Sequence, residues 1–63
     1  MNDRDVQRLE SLLDQLDIPE SRKTVNETNI LWLFRNGWVE NSEKKQILDE
    51  AMMLAKMFIR DSK

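Results

Sequence analysis

The chain has 63 residues with no cysteine, histidine or tyrosine, one glycine and one proline; charged residues make up 35% and the hydrophobic set 40%. This length allows one domain at most, and a chain of this size hides only about 60% of the surface that its unfolded form exposes. Disulfide staples and the usual zinc ligands are excluded, so oligomerisation is the remaining support for a small core and the composition predicts a homodimer.

Ten basic against twelve acidic residues leave a net charge of -2, which gives little general attraction to phosphate backbones. No basic segment followed by an apolar one opens the chain, and no apolar run approaches the roughly 20 residues that a bilayer demands. The expectation is a soluble, cytoplasmic protein without membrane association, which the lack of cysteine also suits.

Val6, Leu9, Leu13 and Leu16 recur at helical spacing with Leu12 beside them. They predict an amphipathic helix over about residues 3–17, with Asp3 and Asp5 at the positive end of its dipole and Pro19 stopping it after Asp17. Ile18 to Lys23 is polar and reads as a connector. Thr24-Val25-Asn26-Glu27 then matches a capping box, which predicts a second helix over 25–36 with Thr24 as its cap. Gly37 should end that helix in the left-handed conformation, with Trp38 folding back on Leu33. A β-hairpin competes for this stretch, because Ile30 to Arg35, Asn36-Gly37 and Trp38-Val39 also fit two strands around a type I′ turn. The helix is preferred, since the second strand would be very short and the cap sequence unused.

Asn41 or Ser42 can cap a third helix over about 42–60, which runs through Ile47, Leu48, Ala51, Leu54, Ala55 and Phe58 without a breaker. Three helices on short connectors give an all-α fold, a small three-helix domain over 1–63. The second helix carries Ile30, Leu31, Trp32, Leu33 and Phe34 in succession, which at about 100° per residue makes it apolar on every side. Two amphipathic neighbours cannot cover all of it, so a second copy of the chain or another protein is expected on the remainder.

On a wheel of the third helix with Ile47 at zero, Ala51, Leu54, Ala55, Leu48, Met52, Phe58 and Ile59 fill a core arc of about 160°. Met53 and Met57 lie outside it, at about 240° and 280°, among Gln46, Asp49, Glu50 and Arg60. Two thioethers one turn apart on a polar face point to a partner-binding surface, because unbranched methionine packs adaptably; packing within the same molecule is the competing reading. Trp38 and Trp32 are either further partner contacts or core fillers, and Arg60 is a rim charge able to orient a partner. The candidate partner-binding residues are therefore Met53, Met57, Trp38, Trp32 and Arg60.

Charge is also segregated. Asp3, Glu10, Asp14 and Asp17 form an acidic stripe on the first helix, while Lys45, Lys56, Arg60 and Lys63 form a basic one on the third, so that antiparallel or exchanged pairing could set one against the other. Solvated faces are the plainer reading.

Catalysis is disfavoured, because general acid-base chemistry would fall to carboxylates or lysines that need a deep cleft to shift their pKa, and no glycine-rich phosphate loop is present. The sequence implies no cofactor and no metal. A DNA-binding helix-turn-helix around Gly37 is the alternative, yet the positions six and nine residues later hold Glu43 and Gln46 where apolar packing residues belong, and the Gly37 to Asn41 connector is long for that motif. A membrane-surface helix would need a uniformly basic face. What remains is a protein-protein interaction module that acts by helix-in-groove packing or by completing a bundle.

Residues 29–36, Asn29-Ile30-Leu31-Trp32-Leu33-Phe34-Arg35-Asn36, resemble an Asn-x-x-Trp-Leu-x-Arg-Asn segment of short accessory proteins of tailed phages. The chain's size and charge are similar to those of the small early-region proteins of lambda-like phages. The resemblance implies a regulator that alters host physiology or the phage developmental decision by contacting a host factor, and it implies no catalytic or binding residue.

Overall fold

Each α-helix among the described residues is capped at its start by an asparagine. In the computed structural model, which describes residues 2–62, the helices are α1 (Asp3–Asp14), α2 (Glu27–Asn36) and α3 (Ser42–Asp61), and no strand occurs among those residues. Asn2, Asn26 and Asn41 hold extended backbone ahead of them. Their side-chain oxygens accept from the N–H groups of Asp5, Asn29 and Glu43 at 2.9, 2.8 and 2.8 Å, satisfying donors that a helix start leaves open. The all-α expectation is therefore met, and the hairpin alternative at 30–39 does not form.

Two boundaries and one cap conformation differ from the sequence expectation. The first helix ends at Asp14, not Asp17, because the N–H groups of Gln15 and Leu16 bond only three residues back, to Leu12 and Leu13 at 3.1 and 3.2 Å. That tightened turn swings Leu16 into the core, where it is buried, and frees Ile18 for the extended backbone that Pro19 imposes on its predecessor. The second helix starts at Glu27 and not at Val25, with Asn26 as its cap in place of Thr24. Asparagine is the stronger cap, and the Thr24 carbonyl is used instead as an acceptor for the Asn29 amide. Gly37 does end α2, but in extended conformation (φ -68°, ψ 115°) and not left-handed. Its N–H reaches the Leu33 carbonyl at 2.7 Å, and a Cβ there would lie 2.6 Å from that oxygen and 3.1 Å from Leu33 Cδ1. Glycine is needed for close approach, and the extended exit carries Trp38 outward, away from Leu33, leaving it 74% exposed.

α3 forms the spine. Its core stripe of Leu48, Ala51, Leu54 and Ala55 is buried against Leu9, Leu12, Leu13 and Leu16 from the first segment and Ile30 and Leu33 from α2. The backbones of α1 and α2 approach α3 but not each other. α1 runs antiparallel to α3, since Arg8 meets Glu50 while Asp17, just past α1, meets Lys44 near the start of α3. Ala51 and Ala55, fully buried and small, let the leucines of α1 come close to the α3 backbone.

The connector between α1 and α2 includes a single 3-10 turn at Glu20–Arg22 and is tied down by one buried amide. Asn29, 6% exposed, donates from Nδ2 to the carbonyls of Thr24 and Ser21 at 2.8 and 3.3 Å and accepts at Oδ1 from Arg22 Nη1 at 3.5 Å. These bonds satisfy peptide groups that no regular element pairs. Asn29→Ala should cost about 1–3 kcal/mol by leaving those carbonyls without a partner, and Asn29→Asp should destabilise as well, because a carboxylate cannot donate to either. Urea midpoints at equal m-value test this, and an Asn29→Ala variant as stable as the parent would remove the amide from its anchoring role. Gly37→Ala should lower the midpoint too, through the clash with the Leu33 carbonyl.

Candidate functional site

Burial of the core stripe leaves large apolar side chains outside it: Trp38 at 74%, Met53 at 58%, Leu31 at 40% and Met57 at 39% exposure. Trp32 and Phe34 are half-buried against the core. α2 is therefore not wrapped on all sides within one molecule, and its outer surface stays open to solvent.

The five residues singled out from the sequence fall into three places. Met53, Met57 and Arg60 share one stripe of α3, spaced four and three apart, and all three are exposed. The position of that stripe follows from its neighbours on the helix wheel. Glu50, at about 300°, meets α1 through Arg8, whereas Leu48, at about 100°, lies beside the Gly37 end of α2. The methionines, at about 240° and 280°, thus sit beyond the α1 flank, with α2 on the other side. Trp38 belongs to the opposite end of α3, where it lines an open depression of about 440 Å³ with Asp17, Val39, Glu40, Asn41 and Lys44. Lys44 precedes Met53 by nine residues, about 14 Å of helix, so Trp38 and the methionine pair do not form one patch. Trp32 stands apart from both, on α2.

Around Trp32 there is a second depression, of about 340 Å³, lined by Arg22, Thr28, Leu31, Trp32, Arg35 and Asn36. Positions 28, 31, 32 and 35 are the outward stripe of α2, and Ile30 and Leu33 are its buried face. Arg22, delivered by the 3-10 turn, lies with its guanidinium carbon 5.4 Å from the centre of the Trp32 ring, within cation-π range. The sequence reading missed this cluster. The spacing of Leu31, Trp32 and Arg35 was a usable signal, but the contribution of Arg22 depends on a connector whose path no local pattern specifies.

Ion pairs account for part of the predicted charge pattern. Asp14 and Asp17 of the acidic stripe are held within the molecule by Lys23 and Lys44, neither of which belongs to the basic stripe. Lys45, Lys56 and Arg60 of that stripe are exposed, and Lys63 lies outside the described residues. Glu43 and Gln46 are both exposed as well, so α3 meets α2 through other positions. Among the described residues no three acidic side chains converge where a metal ion could be held, and no helix is long and apolar enough to cross a membrane.

The most directional pair joins α1 to α3. Arg8 donates from Nε and Nη2 to the two oxygens of Glu50 at 2.6 and 3.1 Å, a bidentate fork. The hydrogen bonds from Arg8 hold the Glu50 carboxyl below its ordinary pKa, and the carboxylate raises Arg8 in turn. For Lys23, partial burial works to lower the pKa, but hydrogen bonds and attraction from Glu20 and Asp14, at 3.4 and 3.5 Å, leave it raised. A depressed carboxylate stabilises the fold above its unfolded pKa and loses that contribution as pH falls through the folded value. The difference in melting temperature between the parent and Glu50→Gln should accordingly be present at neutral pH, shrink as pH falls below the ordinary carboxylate pKa of 4.5, and vanish only below the depressed folded value. A difference that persists unchanged into strong acid would mean that the pair does not act through charge. Compared with known proteins, the chain matches no family model, no curated protein and no solved structure.

Proposed function

We propose that this protein is a non-enzymatic helical protein-protein interaction module that self-associates as a homodimer through the Met53–Met57 face of α3. The observation that carries this reading is the exposure of both thioethers on a helix whose core arc is filled without them. Desolvating two adaptable methionines gives a contact its apolar centre, and Arg60 at the edge of the same stripe sets orientation and encounter rate. A chain with so small a core gains stability from such pairing, since anything that binds the folded state alone shifts the equilibrium toward it.

Trp38, far along α3 from the methionines, supports a further protein partner at that end. The likeness of residues 29–36 to accessory proteins of tailed phages supports a host or phage protein in that role, a regulatory outcome, and the host cytoplasm as its place. Part of that segment serves the fold, because Asn29 and Leu33 are buried, which leaves Trp32, Arg35 and Asn36 as its surface-facing members.

Sedimentation at micromolar concentration should show a dimer for the parent and a monomer for Met53→Glu combined with Met57→Glu, with helicity by circular dichroism unchanged. A parent that is monomeric and unfolds cooperatively would remove self-association from this reading, and a double variant as dimeric as the parent would move the interface off this face. No mobility shift of mixed-sequence duplex DNA is expected at low salt; a salt-dependent shift would favour the helix-turn-helix alternative.

A further inference from the structure

The cations of this protein are not used alike. Arg8, Lys23 and Lys44 each face a carboxylate of their own chain, whereas Arg22 and Arg35, like Arg4, Lys45, Lys56 and Arg60, have no carboxylate partner among the described residues. Arg22 and Arg35 line the same depression on α2, together with Thr28, Leu31, Trp32 and Asn36, and no acidic side chain lines it. A protein with a net charge of -2 thus carries a locally cationic cleft with an apolar floor.

Arg22 is already held in place. Its guanidinium lies over the Trp32 ring and spends one donor on the buried Asn29 amide, so its rotamer freedom is reduced before any ligand arrives. The planar guanidinium keeps its remaining N–H groups in its own plane, able to receive a carboxylate edge-on. Leu31, 40% exposed, and the half-buried Trp32 add an apolar surface that a lone anion would leave uncovered. The cleft of about 340 Å³ lies at the small end of ligand-binding pockets and accommodates one or two side chains.

We propose that this cleft binds a short acidic-hydrophobic peptide segment of another protein, with carboxylates on Arg22 and Arg35 and a neighbouring apolar side chain on Leu31 and the edge of Trp32. Nucleic acid fits less well. Base stacking needs an open aromatic face, yet Arg22 lies over one side of the Trp32 ring and the ring also packs on the core. Two guanidiniums also neutralise only two phosphates, a small share of what backbone binding uses. The site is independent of the Met53–Met57 face, and neither proposal requires the other.

The test is fluorescence anisotropy of a labelled peptide with the repeat Glu-Glu-Leu, titrated with the full chain at low and physiological salt. The parent should bind with salt-dependent affinity, and the same peptide with lysine for glutamate should not bind. Arg35→Glu should weaken binding by about tenfold or more, as expected for loss of a charge-assisted contact. Arg22→Gln serves as a second variant, with its unfolding midpoint measured in parallel because Arg22 also touches Asn29. Met53→Glu with Met57→Glu should bind the peptide as the parent does, which keeps this result separate from the self-association test. Several results overturn the proposal: no binding of the acidic peptide at millimolar protein, equal binding by Arg35→Glu, or tighter binding of a single-stranded oligonucleotide than of the peptide. So does a parent dimer that Arg35→Glu turns into monomer, since the occupant would then be a second copy.

Discussion

Everything in this fold hangs on α3. Its stripe of Leu48, Ala51, Leu54 and Ala55 is the surface on which both other helices find burial, while the backbones of α1 and α2 do not approach each other. Each of them therefore takes its main helix packing from α3, because a short helix in water is not held by intrinsic propensity. It follows that the connector between α1 and α2 cannot be held by helix packing alone. The Asn29 amide takes that part, bonding the carbonyls of Ser21 and Thr24 and so fixing the 3-10 turn against α2. The same geometry places Arg22 over Trp32, so an interaction that orders the connector also builds the cationic cleft.

How much of this was legible in the sequence depends on whether the deciding contact is local. α3 was readable almost to the residue, predicted over 42–60 and found over Ser42–Asp61, because a long uninterrupted apolar stripe and an asparagine cap both act within a few residues. The start of α1 at Asp3 was legible from a similarly local signal, the acidic pair Asp3 and Asp5 in its first turn. Its end was not, because Leu16 leaves the helix to reach a core that only α2 and α3 complete. At α2, two cap sequences overlapped, Thr24 with Glu27 and Asn26 with Asn29. The choice went to Asn26 because Asn29 is then turned inward, where its amide is needed by a segment that has no pattern of its own. Gly37 shows the limit of reading a glycine from its backbone freedom alone. Its lack of a side chain matters because Leu33 stands in the way, and no positive φ is involved.

The candidate surfaces were legible to a similar degree. Met53 and Met57 could be separated from the core by angle alone, since the apolar arc of α3 is complete without them, and both are exposed. The tryptophans could not be placed that way. Trp38 depended on the direction in which the chain leaves α2, and the left-handed exit that would have turned it back does not occur. Trp32 belongs to a helix that is apolar in every direction, so its surroundings are set by which sides α3 and the connector take. The side they leave free is the stripe of Thr28, Leu31, Trp32 and Arg35.

The separation of these surfaces bears on how such a small protein can work. The methionine stripe lies beyond the α1 flank of α3, whereas the Arg22–Trp32–Arg35 cleft is carried by α2 on the other side. A contact on one does not cover the other. A dimer formed through the methionine stripes would carry two cationic clefts on one rigid body, and a target with two acidic segments could engage both at once. Its second contact would then form at the effective concentration set by the spacing of the segments and not at that of free protein. For a cleft of a size to take only one or two side chains, that gain would be the physical reason to place the proposed self-association and the proposed target binding on different faces.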